Sequence, residues 1–136
     1  GRERDPGMIE RDACIEIDAF EQHPVRAQRL LPLLAARPAT GFAISPLVKL
    51  ECLGRPMRTG NLVLQRYYEE HLGRFTQLPL TDEIYLQAAH LRAHFGLKTP
   101  DALHLAAAQH HRCQALWTND ERLSKAGHGL AVNVLA

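Results

Sequence analysis

The chain has 136 residues, enough for one domain with a hydrophobic core, and its 46% apolar and 23% charged residues exclude a disordered protein. No apolar run approaches the roughly 18 residues that a membrane span needs, and the charged opening "GRERDPG" does not resemble a secretory signal. The net charge of +1 does not by itself indicate a nucleic-acid-binding protein.

Met8 is the first methionine, so residues 1–7 are interpreted as a cloning remnant or a native extension. Residues 8–136 are expected to form a single domain, because no linker or repeat interrupts them. The three cysteines, Cys14, Cys52 and Cys113, are odd in number and widely spaced. This pattern favours free thiols over a disulfide framework or a structural zinc site, and it predicts a cytoplasmic protein.

The first half of the chain alternates short apolar runs with helical patterns. A first strand is expected within "ERDACIEIDAF", a helix in "HPVRAQRLLPLLAAR" that Pro32 kinks or splits, and a strand in "GFAIS". Ser45 and Pro46 suit the N-cap and first position of the helix "SPLVKLECL". The segment "GRPMRTGN" is predicted to be a loop, followed by the helix "LVLQRYYEEHLGRF".

The second half continues the alternation. "TQLPL" is a short strand or connector, and Thr81 caps the helix "DEIYLQAAHLRAHF", which Gly96 ends. The helix "DALHLAAAQHHR", the strand "CQALWT", the short helix "NDERLSKAG" and the strand "LAVNVL" follow. The pattern predicts a three-layer α/β domain with a mostly parallel sheet flanked by helices.

Four acidic residues fall where such folds place their sites, beyond the carboxyl ends of strands and at nearby helix starts: Asp12, Glu51, Asp101 and Asp120. Three of them have another reading. Asp101 suits the positive end of a helix, Asp120 suits an N-cap, and neighbouring acids compete with Asp12. If the four converge, their repulsion requires a divalent cation, and oxygen ligands suit Mg²⁺ or Mn²⁺.

These segments resemble the PIN-domain ribonucleases, particularly the VapC-type toxins of toxin–antitoxin pairs, over nearly the whole chain from Met8. The similarity rests on "LKTPDALHLAAA" followed by "LWTND", on "AISPLVKLECL", and on "MIERDACIEID" in the place of the opening strand. The resemblance implies that Asp12, Glu51, Asp101 and Asp120 are catalytic and bind Mg²⁺ or Mn²⁺, with Thr118 and Asn119 as supporting residues. It implies cleavage of RNA by a metal-activated water, a homodimer, and a cognate antitoxin that occludes the site.

The first strand departs from the pattern of the family. Glu10 and Arg11 precede Asp12, where a buried parallel strand is usually apolar, and Ala13 stands where a hydroxyl residue is common. Glu16 and Asp18 also replace apolar residues. We therefore expect either a weakened enzyme or a first strand that is distorted or lies at an edge of the sheet.

Three functions remain open from the sequence. The first is the ribonuclease toxin, for which Arg55, Arg58, Arg66 and Arg74 are candidate RNA-binding residues. Setting aside the four acids leaves 16 basic and 11 acidic residues, a balance that favours a polyanion. The second is a catalytically weakened domain that dimerises and binds RNA or an antitoxin. The third, a phosphatase-like or response-regulator domain, is disfavoured because the first strand does not end in an acidic pair.

Overall fold

The computed structural model describes residues 7–21 and 24–135, and strands and helices alternate through these ranges. Residues 1–6, which belong to the interpreted remnant or extension, lie outside them. The strands are β1 (Ile9–Arg11), β2 (Phe42–Ile44), β3 (Thr76–Gln77), β4 (Ala115–Thr118) and β5 (Ala131–Asn133). The α-helices are α1 (Ala13–Phe20), α2 (Pro24–Ala35), α3 (Pro46–Thr59), α4 (Leu62–Leu72), α5 (Asp82–Phe95), α6 (Thr99–His110) and α7 (Glu121–Ser124).

The five strands form one parallel sheet in the order β3-β2-β1-β4-β5. Because the strands run in one direction, all their carboxyl ends lie along the same edge of the sheet. A helix that leads into a parallel strand runs against the strand direction, so the N-terminus of α6 also lies at this edge. The α/β architecture with a parallel sheet is confirmed.

Helices cover both faces of the sheet. On one face, the buried alanines of α6 allow close packing against α5 and the inner strands, with Leu105 and Leu116 in the same cluster. On the other face, Phe42 and Ile44 of β2 pack against Tyr68 of α4 and the buried side of α3. Three layers result, as the sequence predicted.

Helix α3 corrects the prediction of a loop at "GRPMRTGN". The helix continues to Thr59, and Pro56 lies inside it. Its buried residues are Val48, Cys52 and Pro56, which are spaced four apart and therefore form one stripe against the sheet. The apolar stripe outweighs the hydrogen bond that proline removes, so the helix does not stop at Gly54.

Helix α2 also continues through its proline. The sequence predicted a kink or a split at Pro32, and the helix is not split, because it runs as one helix across Pro32. The kink stays a prediction. The carbonyl that loses its partner belongs to Gln28, which is exposed and accessible to water.

Strand β1 lies in the centre of the sheet, between β2 and β4. The prediction of an edge strand is therefore wrong. The strand ends at Arg11, and Asp12 is the N-cap of α1, which places Glu16 and Asp18 on a helix rather than in the strand.

The charges of β1 are buried and paired on opposite faces of the sheet. Glu10 faces α6, where its Oε2 lies 3.6 Å from Nδ1 of His104. Arg11 faces the other layer, with its Nη2 2.6 Å from Oε2 of Glu16 and its guanidinium over the rings of Phe42 and Phe75. Pairing and cation–π contact explain how a central strand accommodates charged residues.

Candidate functional site

A cavity of about 380 Å³ opens at the carboxyl edge of the sheet. It is lined by the four predicted acids, Asp12, Glu51, Asp101 and Asp120, together with Ala13, Cys14, Ile17 and Asn119. Four acids that are far apart in the chain thus share one cavity, because two follow β1 and β4 and two come from the starts of α3 and α6. Their roles as ligands and catalytic residues stay predictions.

Asp12 is fixed in place by backbone and side-chain hydrogen bonds. It accepts from the backbone N–H of Cys14 at 3.3 Å and from the hydroxyl of Thr118 at 2.9 Å. Its own N–H donates to the carbonyl of Trp117 at 3.0 Å, which extends the ladder between β1 and β4 by one residue. The carboxylate therefore has little freedom to turn away from the cavity.

Thr118 connects two of the acids. Its buried hydroxyl donates to Asp12 and accepts from the backbone N–H of Asp120 at 3.0 Å. This position suits the predicted supporting role, which remains a prediction.

Asn119, the other predicted supporting residue, has a different partner. Its side-chain amide donates to Asp18, which also pairs with Arg26 at 3.3 Å. Its backbone N–H donates to the sulfur of Cys14 at 3.4 Å. The amide of Asn119 therefore anchors the loop after β4 to α1, while the residue still lines the cavity.

Asp120 has the capping role that the sequence left open. Its Oδ1 accepts from the backbone N–H groups of Arg122 and Leu123, at 2.8 and 3.2 Å, and so caps α7. Asp120 also lines the cavity, so the capping and metal-binding readings do not exclude each other.

We expect the replacement of Asp120 by alanine to lower the free energy of unfolding by about 1 kcal/mol relative to asparagine, which caps a helix as well as aspartate does. Both changes remove the negative charge, so the difference between them isolates the cap. Urea denaturation of the two variants measures it. Equal stabilities would show that the cap of α7 contributes nothing.

Asp101 differs from the other acids in its hydrogen bonding. It lies half-buried in the first turn of α6, and its carboxylate accepts no hydrogen bond from any residue in the described ranges. Burial raises its pKa to about 6, and the charges of Asp12 and Asp120 add to the rise. The cavity therefore concentrates negative charge that a bound cation would relieve.

Glu51 contacts a residue that the sequence reasoning missed. Its Oε1 lies 2.8 Å from Nε2 of His104, and the same nitrogen lies 3.7 Å from Oδ1 of Asp12. Burial lowers the pKa of His104, but the surrounding carboxylates, Glu10 and Glu51 first, outweigh burial and raise it. The signal in the sequence was the spacing, because His104 follows Asp101 by three residues and shares its side of the helix.

Donor atoms of Asp12, Glu51 and His104 all lie within 4.8 Å of one another, a grouping that can hold a metal ion. Carboxylate oxygens suit Mg²⁺ and Mn²⁺, and imidazole nitrogen suits the transition metals. The donor set and the excess of negative charge both fit a divalent cation at the cavity.

The four arginines proposed for RNA binding lie outside this cavity. Arg55 and Arg58 are exposed on α3, Arg66 is exposed on α4, and Arg74 follows α4. Arg55 lies 3.7 Å from Glu21, and Arg74 lies 3.5 Å from Glu70, so two of the four arginines have an acidic partner. RNA binding by these residues stays a prediction.

Among the helices of the described ranges, none combines the length and apolar character that crossing a membrane requires.

Comparison with known proteins identifies relatives by sequence and by fold. A family model of the PIN domain matches residues 11–129. No curated protein matches the chain significantly. A toxin–antitoxin complex from Klebsiella pneumoniae contains a chain that is 27% identical, with a TM-score of 0.74, over 93% of this chain and 97% of that one.

Two further solved structures show the same fold at lower identity. FitAcB from Neisseria gonorrhoeae is 18% identical with a TM-score of 0.74, over 94% of this chain and 99% of that one. VapBC2 from Rickettsia felis, bound to a DNA fragment from its promoter, is 17% identical with a TM-score of 0.71, over 92% and 97%. At these identities the similarity concerns the fold alone.

Proposed function

The chain belongs to the PIN-domain family, and on this premise we propose that it is a metal-dependent endoribonuclease that acts as the toxin of a toxin–antitoxin pair. The observation that carries the proposal is the cavity lined by Asp12, Glu51, Asp101 and Asp120. Nothing in the packing of a domain requires four carboxylates to face one cavity, and a divalent cation offsets the cost of placing them there.

The residues at the cavity would bind the cation and orient its ligands. Asp12, Glu51, Asp101 and Asp120 would hold Mg²⁺ or Mn²⁺, and Thr118 would keep Asp12 turned toward the cavity. When bound there, the cation would supply an activated water molecule and stabilisation of negative charge on the phosphate. Without it, the four acids would repel a phosphodiester, so the same residues make cleavage depend on metal.

Three partner assignments accompany this proposal. RNA is the substrate, a cognate antitoxin occludes the site, and the chain forms a homodimer in the cytoplasm. The 27% identity to a chain of the Klebsiella pneumoniae toxin–antitoxin complex supports the assignment as a toxin. The family match over residues 11–129 supports a single domain across residues 8–136.

The weakened binding domain is the alternative outcome. Its main support was the charged first strand, but Glu10 and Arg11 are paired within a central strand and do not disturb the sheet. Ala13 remains the one departure at the cavity that removes a hydroxyl group.

The test is incubation of the full chain with total cellular RNA, first with Mg²⁺ or Mn²⁺ and then with a chelator. Mass spectrometry of the intact preparation establishes beforehand that no other protein has copurified. We expect discrete RNA fragments that appear only with metal. Intact RNA after incubation with a folded, partner-free protein that binds metal would support the binding domain instead.

A further inference from the structure

We propose that His104 is an additional, nitrogen ligand of the cation at the acidic cavity, held in place by Glu10, and that it makes the site favour Mn²⁺ over Mg²⁺. The inference rests on the proposed function only in requiring that a divalent cation binds at this cavity. The imidazole belongs to α6, one turn after Asp101, and is fully buried. Its Nε2 lies against Asp12 and Glu51, which line the cavity.

The distances around Nε2 of His104 fit shared coordination. Donor atoms that bind one cation at about 2.1 Å lie no more than about 4.2 Å apart. Nε2 lies 2.8 Å from Oε1 of Glu51 and 3.7 Å from Oδ1 of Asp12, within this limit. Coordination at Nε2 replaces the proton on this nitrogen, and the proton goes to solvent.

Glu10 lies behind the second nitrogen of the imidazole. Its Oε2 lies 3.6 Å from Nδ1 of His104, on the opposite side of the ring from Glu51. Glu10 and His104 are both fully buried. Neither oxygen of Glu10 nor Nδ1 of His104 has a conventional hydrogen bond in the described part of the chain, and the 3.6 Å ion pair is the contact that the two groups make with each other. A carboxylate behind the second nitrogen is the usual companion of a metal-binding histidine, because it fixes the ring and the tautomer.

Glu10 is otherwise hard to explain. A carboxylate in the middle of a central parallel strand is costly to desolvate, and burial raises its pKa to about 7. An apolar residue would fill this position at no such cost. Glu10 contacts one nitrogen of His104, and Glu51 contacts the other. The buried carboxylate can therefore act on the cavity through the imidazole.

A nitrogen ligand changes which cation the site prefers. Mg²⁺ favours oxygen ligands and retains its water molecules, whereas transition metals bind imidazole readily. Four carboxylates alone would hold Mg²⁺ and Mn²⁺ through the same kind of donor. His104 would strengthen the binding of Mn²⁺ and leave the binding of Mg²⁺ nearly unchanged.

The experiment is electron spin echo spectroscopy of the full chain loaded with Mn²⁺, which detects nitrogen bound to the metal without any measurement of activity. We expect a ¹⁴N coupling in the wild-type protein that changes to the ¹⁵N pattern when histidine is labelled with ¹⁵N. Labelling changes no contact, so this arm does not depend on whether a variant folds.

Variants then identify the histidine and the role of Glu10. His104→Gln should abolish the coupling, whereas His90→Gln, at an exposed histidine of α5, should retain it. Glu10→Gln should weaken Mn²⁺ binding by about 10- to 100-fold, the usual effect of losing a carboxylate behind a ligand. The ratio of Mn²⁺ to Mg²⁺ affinity should fall in His104→Gln and in Glu10→Gln.

Two outcomes overturn the inference, and they differ in what else they imply. Mn²⁺ that binds in the wild-type protein without a nitrogen coupling would make His104 a structural residue, and the ribonuclease proposal would stand. Absence of any Mn²⁺ binding by the folded chain would contradict both the inference about His104 and the proposal of a metal-dependent ribonuclease.

Discussion

Replacing Asp101 with asparagine is expected to reduce metal-dependent RNA cleavage by about 100- to 1,000-fold and to leave the fold intact. Asparagine keeps the shape of the side chain but removes the charge that would hold the cation. The carboxylate accepts no hydrogen bond from the described residues, and its pKa is raised by burial and by Asp12 and Asp120, so its negative charge does not stabilise the fold. Stability should therefore be unchanged or slightly increased.

The measurement is the rate of fragment formation from total RNA with Mn²⁺, combined with urea denaturation of each variant. Asp82→Asn provides the matched control, because Asp82 also lies in the first turn of a helix but is exposed and does not line the cavity. Unchanged cleavage by Asp101→Asn would show that Asp101 takes no part in the reaction. Loss of folding would instead assign it to the stability of α6.

Replacing Arg11 with methionine is expected to lower the free energy of unfolding by about 3 kcal/mol or more. Methionine keeps much of the apolar length of arginine, but it leaves Glu16 buried without its closest cation. The Nη2–Oε2 distance is 2.6 Å and both side chains are almost completely buried, so water cannot replace the lost partner. His71, 3.3 Å from Glu16, remains as a weaker neighbour.

Urea denaturation measures the loss, with Arg66→Met on the exposed surface of α4 as the control. The double variant Arg11→Met/Glu16→Leu should recover most of the stability, because removing both members of a buried pair is often neutral. A loss below about 1 kcal/mol in Arg11→Met would contradict the account, since it would mean that Glu16 does not depend on the pair.

Local sequence patterns predicted most of the fold, and α3 and β1 are two elements where prediction from local sequence fails. The strand "CQALWT" and the helix after Pro100 were predictable because periodicity, proline position and apolar runs agree there. The end of α3 was not predictable, because Pro56 signals a break locally while its burial with Val48 and Cys52 extends the helix. The burial stripe is a tertiary effect that overrides the local signal.

The edge position that the sequence suggested for β1 was wrong for a related reason. Glu10 and Arg11 suggested an edge, since unpaired charges are excluded from a sheet centre. Their partners, His104 and Glu16, come from helices on opposite faces, so the compensation appears only in three dimensions.

The candidate site was predictable in its acids and not in its histidine. Asp101 and Asp120 stand at a helix start and after a strand, positions that the order of elements reveals. His104 lies within an alanine-rich helix whose pattern resembles ordinary core, so its spacing from Asp101 is a weak signal until its contacts with Glu10 and Glu51 are seen.

Isothermal titration of the folded, partner-free protein with Mn²⁺ measures directly whether the cavity binds a divalent cation through its carboxylates. We expect saturable binding that becomes about 10- to 100-fold weaker in Asp101→Asn and is unchanged in Asp82→Asn. The absence of saturable binding at millimolar Mn²⁺, or equal binding by Asp101→Asn, would contradict this expectation.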